Sequence, residues 1–119
     1  MMPYERLQAW QVSHDLALAI YRATERWPRR EWYGITSQAR RAAVSAPTNI
    51  AEGAALKGKA QLRRHLDIAL GSLSELCYLL RLSRELGMLE DDQCKSLDDL
   101  RNRAGQLTWR LKQSLDRSG

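Results

Sequence analysis

The sequence predicts an all-α protein: one domain over residues 1–119, folded as an antiparallel up-down-up-down four-helix bundle. Three observations predict it. Apolar residues recur three and four apart in four long segments, the connections between them are short, and no stretch alternates apolar and polar residues as a strand would. At 119 residues the chain can bury a core without metal or disulfide support. With 44% apolar and 28% charged side chains it has an ordinary globular composition and is not mainly disordered.

Helix one is predicted over Leu7 to Arg26, where Leu7, Trp10, Val12, Leu16, Ala17, Ile20, Tyr21 and Ala23 form a broad apolar arc without internal Gly or Pro. It stops at Trp27-Pro28, because the residue before a proline is pushed out of the helical region. The connection 29–34 is short, and Thr36 or Ser37 offers an N-cap for the next helix.

Helix two, Ile35 to Gly53, organises the rest. One face carries Ile35, Ala39, Ala42, Ala43, Ala46 and Ile50, and small side chains there let a neighbouring helix approach closely while supplying the large residues itself. Pro47 removes a hydrogen bond to the Ala43 carbonyl and predicts a kink. Along another side run Gln38, Arg41, Ser45, Asn49 and Glu52, a polar stripe with two readings: a solvated face with internal hydrogen bonds, or a seam facing another subunit or a ligand.

After a break at Gly58, helix three shows a stripe of Leu62, Leu66, Ala69, Leu73, Leu76 and Leu80, whose leucines can fill the alanine slot. Gly71 and Ser72 interrupt its middle; the glycine costs about 1 kcal/mol of helix propensity, which a close backbone approach would offset. Gly87 is the expected C-cap and Asp91 or Asp92 the cap of helix four, which repeats Leu97, Leu100, Ala104, Leu107, Leu111 and Ser114 or Leu115. The C-terminal DRSG, residues 116–119, is expected to fray. Cys77 and Cys94 fall in separate predicted helices at unequal distances from the Gly87 turn and are expected to be buried free thiols.

Nineteen Lys and Arg against 14 Asp and Glu leave a net charge of +5, and residues 1–59 hold most of the excess, with nine basic and five acidic side chains. Such a balance favours a polyanionic partner. The densest cluster is KGKAQLRR, with Lys57, Lys59, Arg63 and Arg64 and no intervening acid. A basic pair opening a helix opposes the helix dipole, which a bound phosphate would offset. Arg26, Arg29 and Arg30 form a second cluster beside Trp32 and Tyr33, a mixture suited to phosphates and stacked bases, or to plain surface packing. The aromatics Tyr4, Trp10, Trp27, Trp32 and Tyr33 crowd around helix one and the first connection, too many for one bundle core; those left at the surface point to a subunit interface.

Three stretches carry a family resemblance: LQAWQ at 7–11, WPRREWYGITSQARRAAVSAPTNIAEG at 27–53 and LDIALGSLSEL at 66–76. Together they resemble the four-helix-bundle proteins encoded by intervening sequences within bacterial 23S ribosomal RNA genes, also called S23 ribosomal proteins. The resemblance implies homopentamers of bundles standing side by side as a barrel, with Gln38, Arg41, Ser45, Asn49 and Glu52 as polar contacts within a bundle or between subunits. It also implies kinship with the accessory protein of diversity-generating retroelements, which binds nucleic acid and reverse transcriptase, and hence RNA, DNA or a nucleic-acid-processing protein as partner. The chain departs from the pattern at 54–60, where Leu56, Lys57 and Gly58 replace the usual arginine and hydroxyl residue.

No enzyme is expected. Gly53-AALK-Gly58-Lys59 has P-loop spacing, yet Ala60 stands where magnesium needs a Ser or Thr, and no strand precedes it. His14 and His65 lack partners at metal spacing, so no metal or cofactor is expected, and His65 and Asp67, two apart on one helix, cannot both serve Ser45 in a triad. With no membrane-length apolar run and no signal-peptide core in MMPYERLQAW, the expected setting is cytoplasmic and off the membrane. The function read from the sequence is a homo-oligomer that binds nucleic acid through a basic surface; the alternative is a structural or protein-interaction scaffold.

Overall fold

The computed structural model describes residues 1–117 and contains four α-helices: α1 (Gln8–Thr24), α2 (Ser37–Ala55), α3 (Lys59–Glu85) and α4 (Asp91–Arg117). Among the described residues there is no strand. Each helix packs on two others, α1 on α2 and α4, α3 on α2 and α4, forming a rod of 46 × 22 × 22 Å. Between α2 and α3 the bonded pairs are Ser45 with Ser72 and Asn49 with His65. Between α3 and α4, Arg63 meets Asp116 and Asp67 meets Lys112.

Helix α1 is shorter than expected at both ends. Leu7 stands outside it with extended backbone, and the chain turns after Thr24, whose carbonyl accepts the Trp27 N–H at 3.1 Å. Pro28, with φ −58° and ψ 141°, cannot continue the helix. The connection holds a 3-10 turn at Arg29–Glu31 followed by a turn at Trp32–Thr36 that kinks at Gly34, whose φ −109° and ψ −116° are not helical. That turn runs into α2, which corrects the expected cap: Thr36 occupies the N-cap position with helical backbone, and its buried hydroxyl bonds to nothing. Trp27 is buried in the core, whereas Trp32 and Tyr33 point to solvent.

The alanine face behaves as a slot. Ala39, Ala42, Ala43, Ala46 and Ile50 are all at most 2% exposed, and α2 continues unbroken through the buried Pro47. Leu66, Leu73, Leu76 and Leu80 of α3, with Leu16 and Ile20 of α1, supply the bulk of the core. The closest backbone approach falls at a different glycine from the one expected. A Cβ at Gly71 would meet nothing within 4 Å, but one at Gly53 would lie 2.9 Å from His65 Cβ and 3.0 Å from Leu62 Cδ1. Gly71 simply lies on the exposed side of α3.

Gly87 does end α3, at φ 79°, with the Met88 N–H on the Ser83 carbonyl at 2.8 Å and the Gly87 N–H on that of Arg84 at 3.0 Å, a Schellman arrangement. Asp91 and Asp92 are first-turn residues of α4 rather than its cap; there they complement the helix dipole. Of the DRSG tail expected to fray, Asp116 and Arg117 remain helical, and Ser118 and Gly119 lie outside the described residues.

Two glycine substitutions should move stability in opposite directions. Gly71→Ala gains helix propensity at an open site and is expected to stabilise by up to about 1 kcal/mol. Gly53→Ala forces α2 and α3 apart and is expected to destabilise by about 1–3 kcal/mol despite the same propensity gain. Thermal melts followed by circular dichroism check both; equal shifts would contradict the packing described.

Candidate functional site

The polar stripe of α2 divides. Ser45 and Asn49 turn toward α3, while Gln38 and Arg41 stay exposed, Arg41 reaching Ser37 Oγ at 3.5 Å. Asn49 Nδ2 donates to the Ser45 carbonyl at 2.9 Å and to Ser45 Oγ at 3.1 Å. Its Oδ1 must therefore face His65 Nδ1, 3.0 Å away, and the imidazole donates from that nitrogen. Ser72 Oγ donates to Ser45 Oγ at 2.7 Å, and the exposed Glu52 carboxylate lies 3.7 Å from His65 Nδ1. The result is a polar seam joining α2 to α3 beside the Gly53 contact. It satisfies buried groups within one chain, and it contains no nucleophile paired with a base: Asn49 stands between His65 and Ser45, and Asp67 pairs instead with Lys112 at 2.6 Å.

A second polar tie escaped the sequence reading. Arg40 Nε donates to Thr24 Oγ1 at 2.8 Å, and its guanidinium lies 4.6 Å over the Tyr21 ring, which joins the end of α1 to the start of α2. Thr24, fully buried, also donates to the Ile20 carbonyl at 2.8 Å. The signal was slight, a lone threonine at a helix end and an arginine sixteen residues later.

The two basic clusters do not merge. Arg26, Arg29 and Arg30 belong to the α1–α2 connection and Lys57 to the α2–α3 connection, at opposite ends of the 19-residue α2, or about 28 Å apart along it. Within KGKAQLRR, Lys57, Lys59 and Arg64 are exposed, but Arg63 is half-buried and paired with Asp116, Nη2 to Oδ1 at 2.9 Å and Nε to Oδ1 at 3.0 Å. Tertiary structure thus brings an acid to a cluster that lacks one in sequence, and Asp116 offsets the dipole repulsion assigned to a phosphate. At the other cluster, Arg26, Arg29 and Arg30 are exposed with no ion pair among the described residues, and Tyr33 beside them is 100% exposed. The P-loop spacing dissolves, since Gly53 is buried inside α2.

A protein-family model described as the 23S rRNA-intervening sequence protein matches residues 5–110. The chain belongs to this family. The match spans all of α1 to α3 and most of α4, including the polar seam and both basic clusters. A search of curated proteins finds no match. Among the described residues of this intervening-sequence family member, no helix is long and apolar enough to cross a membrane. Both cysteines are free; Cys77 is half-buried, and Cys94 is buried with its thiol pushed up by desolvation, 3.6 Å from the Leu80 carbonyl.

The seam predicts coupling between its members. A double-mutant cycle on Ser45→Ala and Ser72→Ala should return a coupling energy of about 1 kcal/mol by denaturant melts. Asn49→Ala, which strands the His65 N–H, should cost about 1–3 kcal/mol. A coupling near zero would place both hydroxyls in water.

Proposed function

We propose that this chain is a non-enzymatic, cytoplasmic homo-oligomer, a pentamer of antiparallel up-down-up-down bundles, that binds RNA through exposed basic side chains repeated around the assembly. The observation that carries the binding is the α1–α2 connection: three exposed arginines without acidic partners, set beside a fully exposed tyrosine, in a member of an rRNA-intervening-sequence family. Arginines without partners hold phosphates, and an exposed ring offers a face to an unstacked base. Lys57, Lys59 and Arg64 extend the basic surface at the other end of the rod, with Arg63 contributing less because it is held by Asp116. Several weak patches on one assembly act together, since binding at one raises the effective concentration at the next.

A scaffold that binds protein rather than nucleic acid is the second reading, favoured by the large apolar side chains left on the surface, including Leu18, Tyr21, Tyr78 and Trp109. A nucleic-acid-processing protein as partner would reconcile the two.

Fluorescence anisotropy with a labelled structured RNA across a salt series separates them. Binding should weaken linearly in log affinity against log salt and vary little with sequence. Changing Arg26, Arg29 and Arg30 to Gln should reduce both affinity and salt slope, and changing Lys57, Lys59, Arg63 and Arg64 to Gln should do so independently. Absence of binding at low salt would leave the scaffold reading. Light scattering after size exclusion tests the assembly, which fails if the mass at micromolar concentration is the 13.7 kDa of one chain.

A further inference from the structure

We infer that the groove between α1 and α2 receives Trp109 of a second copy of this chain, so that copies join head to tail through two different faces. This rests on the oligomeric reading above and adds to it the surfaces that meet. The groove encloses about 480 Å³ and is mostly apolar, with Leu18, Tyr21, Val44 and Pro47 along its sides. One end is walled by Trp10, whose ring stacks on His14 with centroids 4.9 Å apart and meets Tyr4 at 4.7 Å. Leu18, Tyr21 and Val44 remain about two-fifths exposed in the single chain, so the groove is unfilled from within.

A residue of matching character stands on the other side of the rod. Trp109 on α4 is 52% exposed, at the edge of a shallow groove between α3 and α4. Because α1 packs on α2 and α4, and α3 on α2 and α4, the α1–α2 and α3–α4 sides are opposite, and Trp109 cannot reach the groove of its own chain. The charges then choose the pairing. Among the described residues Glu52 is the carboxylate lining the α1–α2 groove, whereas Arg101 and Arg110 are the charged residues lining the groove beside Trp109. Arg101 is held by Asp98 at 2.6 Å; Arg110 is exposed with no ion pair among the described residues. An indole seated against Trp10 brings Arg110, its neighbour, toward Glu52, which is 60% exposed and has His65 Nδ1 near it at 3.7 Å. A symmetric contact would instead oppose Glu52 to Glu52 or Arg110 to Arg110. Complementary faces on opposite sides make a heterologous contact, which closes into a ring when the rotation allows.

The test uses Thr48→Arg, which blocks the groove from an exposed helical position, and Trp109→Ala, which removes the knob; circular dichroism confirms that both stay folded. By light scattering at tens of micromolar, each variant alone should fall to the mass of one chain, with the interface weakened by about 30-fold or more. Mixing the two should restore a single intact interface, the Thr48→Arg chain's Trp109 in the Trp109→Ala chain's groove, and give a dimer and nothing larger. Glu52→Arg and Arg110→Glu should each weaken assembly, and the double variant should recover it. If the wild-type chain is monomeric, the oligomeric reading itself fails. If the wild type assembles but either variant keeps its mass, or the mixture gives no dimer, the assembly stands and these faces are overturned as its interface.

Discussion

The close approach of α2 to α3 is the constraint on which the remaining structure depends. Four fully or nearly fully buried alanines and Gly53 remove the side-chain volume that would otherwise hold the helices apart. That proximity is what lets two hydroxyls, Ser45 and Ser72, meet directly at 2.7 Å across the interface. It also sets the burden on α3 and α1, which must fill the space beside a helix that offers only Ile50 as a large core side chain of its own length. Each fully buried leucine contributes about 1.5–3 kcal/mol, so Leu66, Leu73, Leu76 and Leu80 outweigh the seam, whose hydrogen bonds net about 1 kcal/mol apiece. Burial stabilises the bundle; the seam selects which register of α3 on α2 is acceptable, because a shifted register leaves His65 and Asn49 unpaired in the interior.

Charge is distributed by the same packing. Ion pairs join α3 to α4 at Arg63 with Asp116 and at Asp67 with Lys112, and these partly exposed pairs add little stability individually. Their larger consequence is for which cations stay unpaired: Arg63 is engaged by Asp116, whereas Arg26, Arg29 and Arg30 of the α1–α2 connection have no ion pair among the described residues. There the 3-10 turn and the kinked turn after it present Arg29, Arg30 and Tyr33 outward while Trp27 anchors the segment in the core.

How much was legible in the sequence differs by kind of feature. The four helices, the alanine slot, the leucine stripe and the Gly87 cap were readable, because each depends on periodicity or on one residue's backbone freedom. The basic residues are readable as a list, but the pairing of one of them is not: KGKAQLRR lacks an acid locally, and nothing in those eight residues announces that Asp116 meets Arg63. The close glycine was assigned to Gly71 because it interrupts a leucine stripe, whereas the angle of each glycine around its helix decides, and Gly53 is the one that faces a neighbour.

The sequence by itself therefore determined the helices and their apolar faces, since the period of 3.6 residues and the turn chemistry act between neighbours in the chain. Tertiary structure alone decided which polar groups meet: Arg40 with Thr24, Asn49 with His65, Ser45 with Ser72, Arg63 with Asp116. Those partners lie 16 to 53 residues apart. Their meeting depends on the rotation and register of whole helices, which are set by how alanine, glycine and leucine volumes interlock across the bundle.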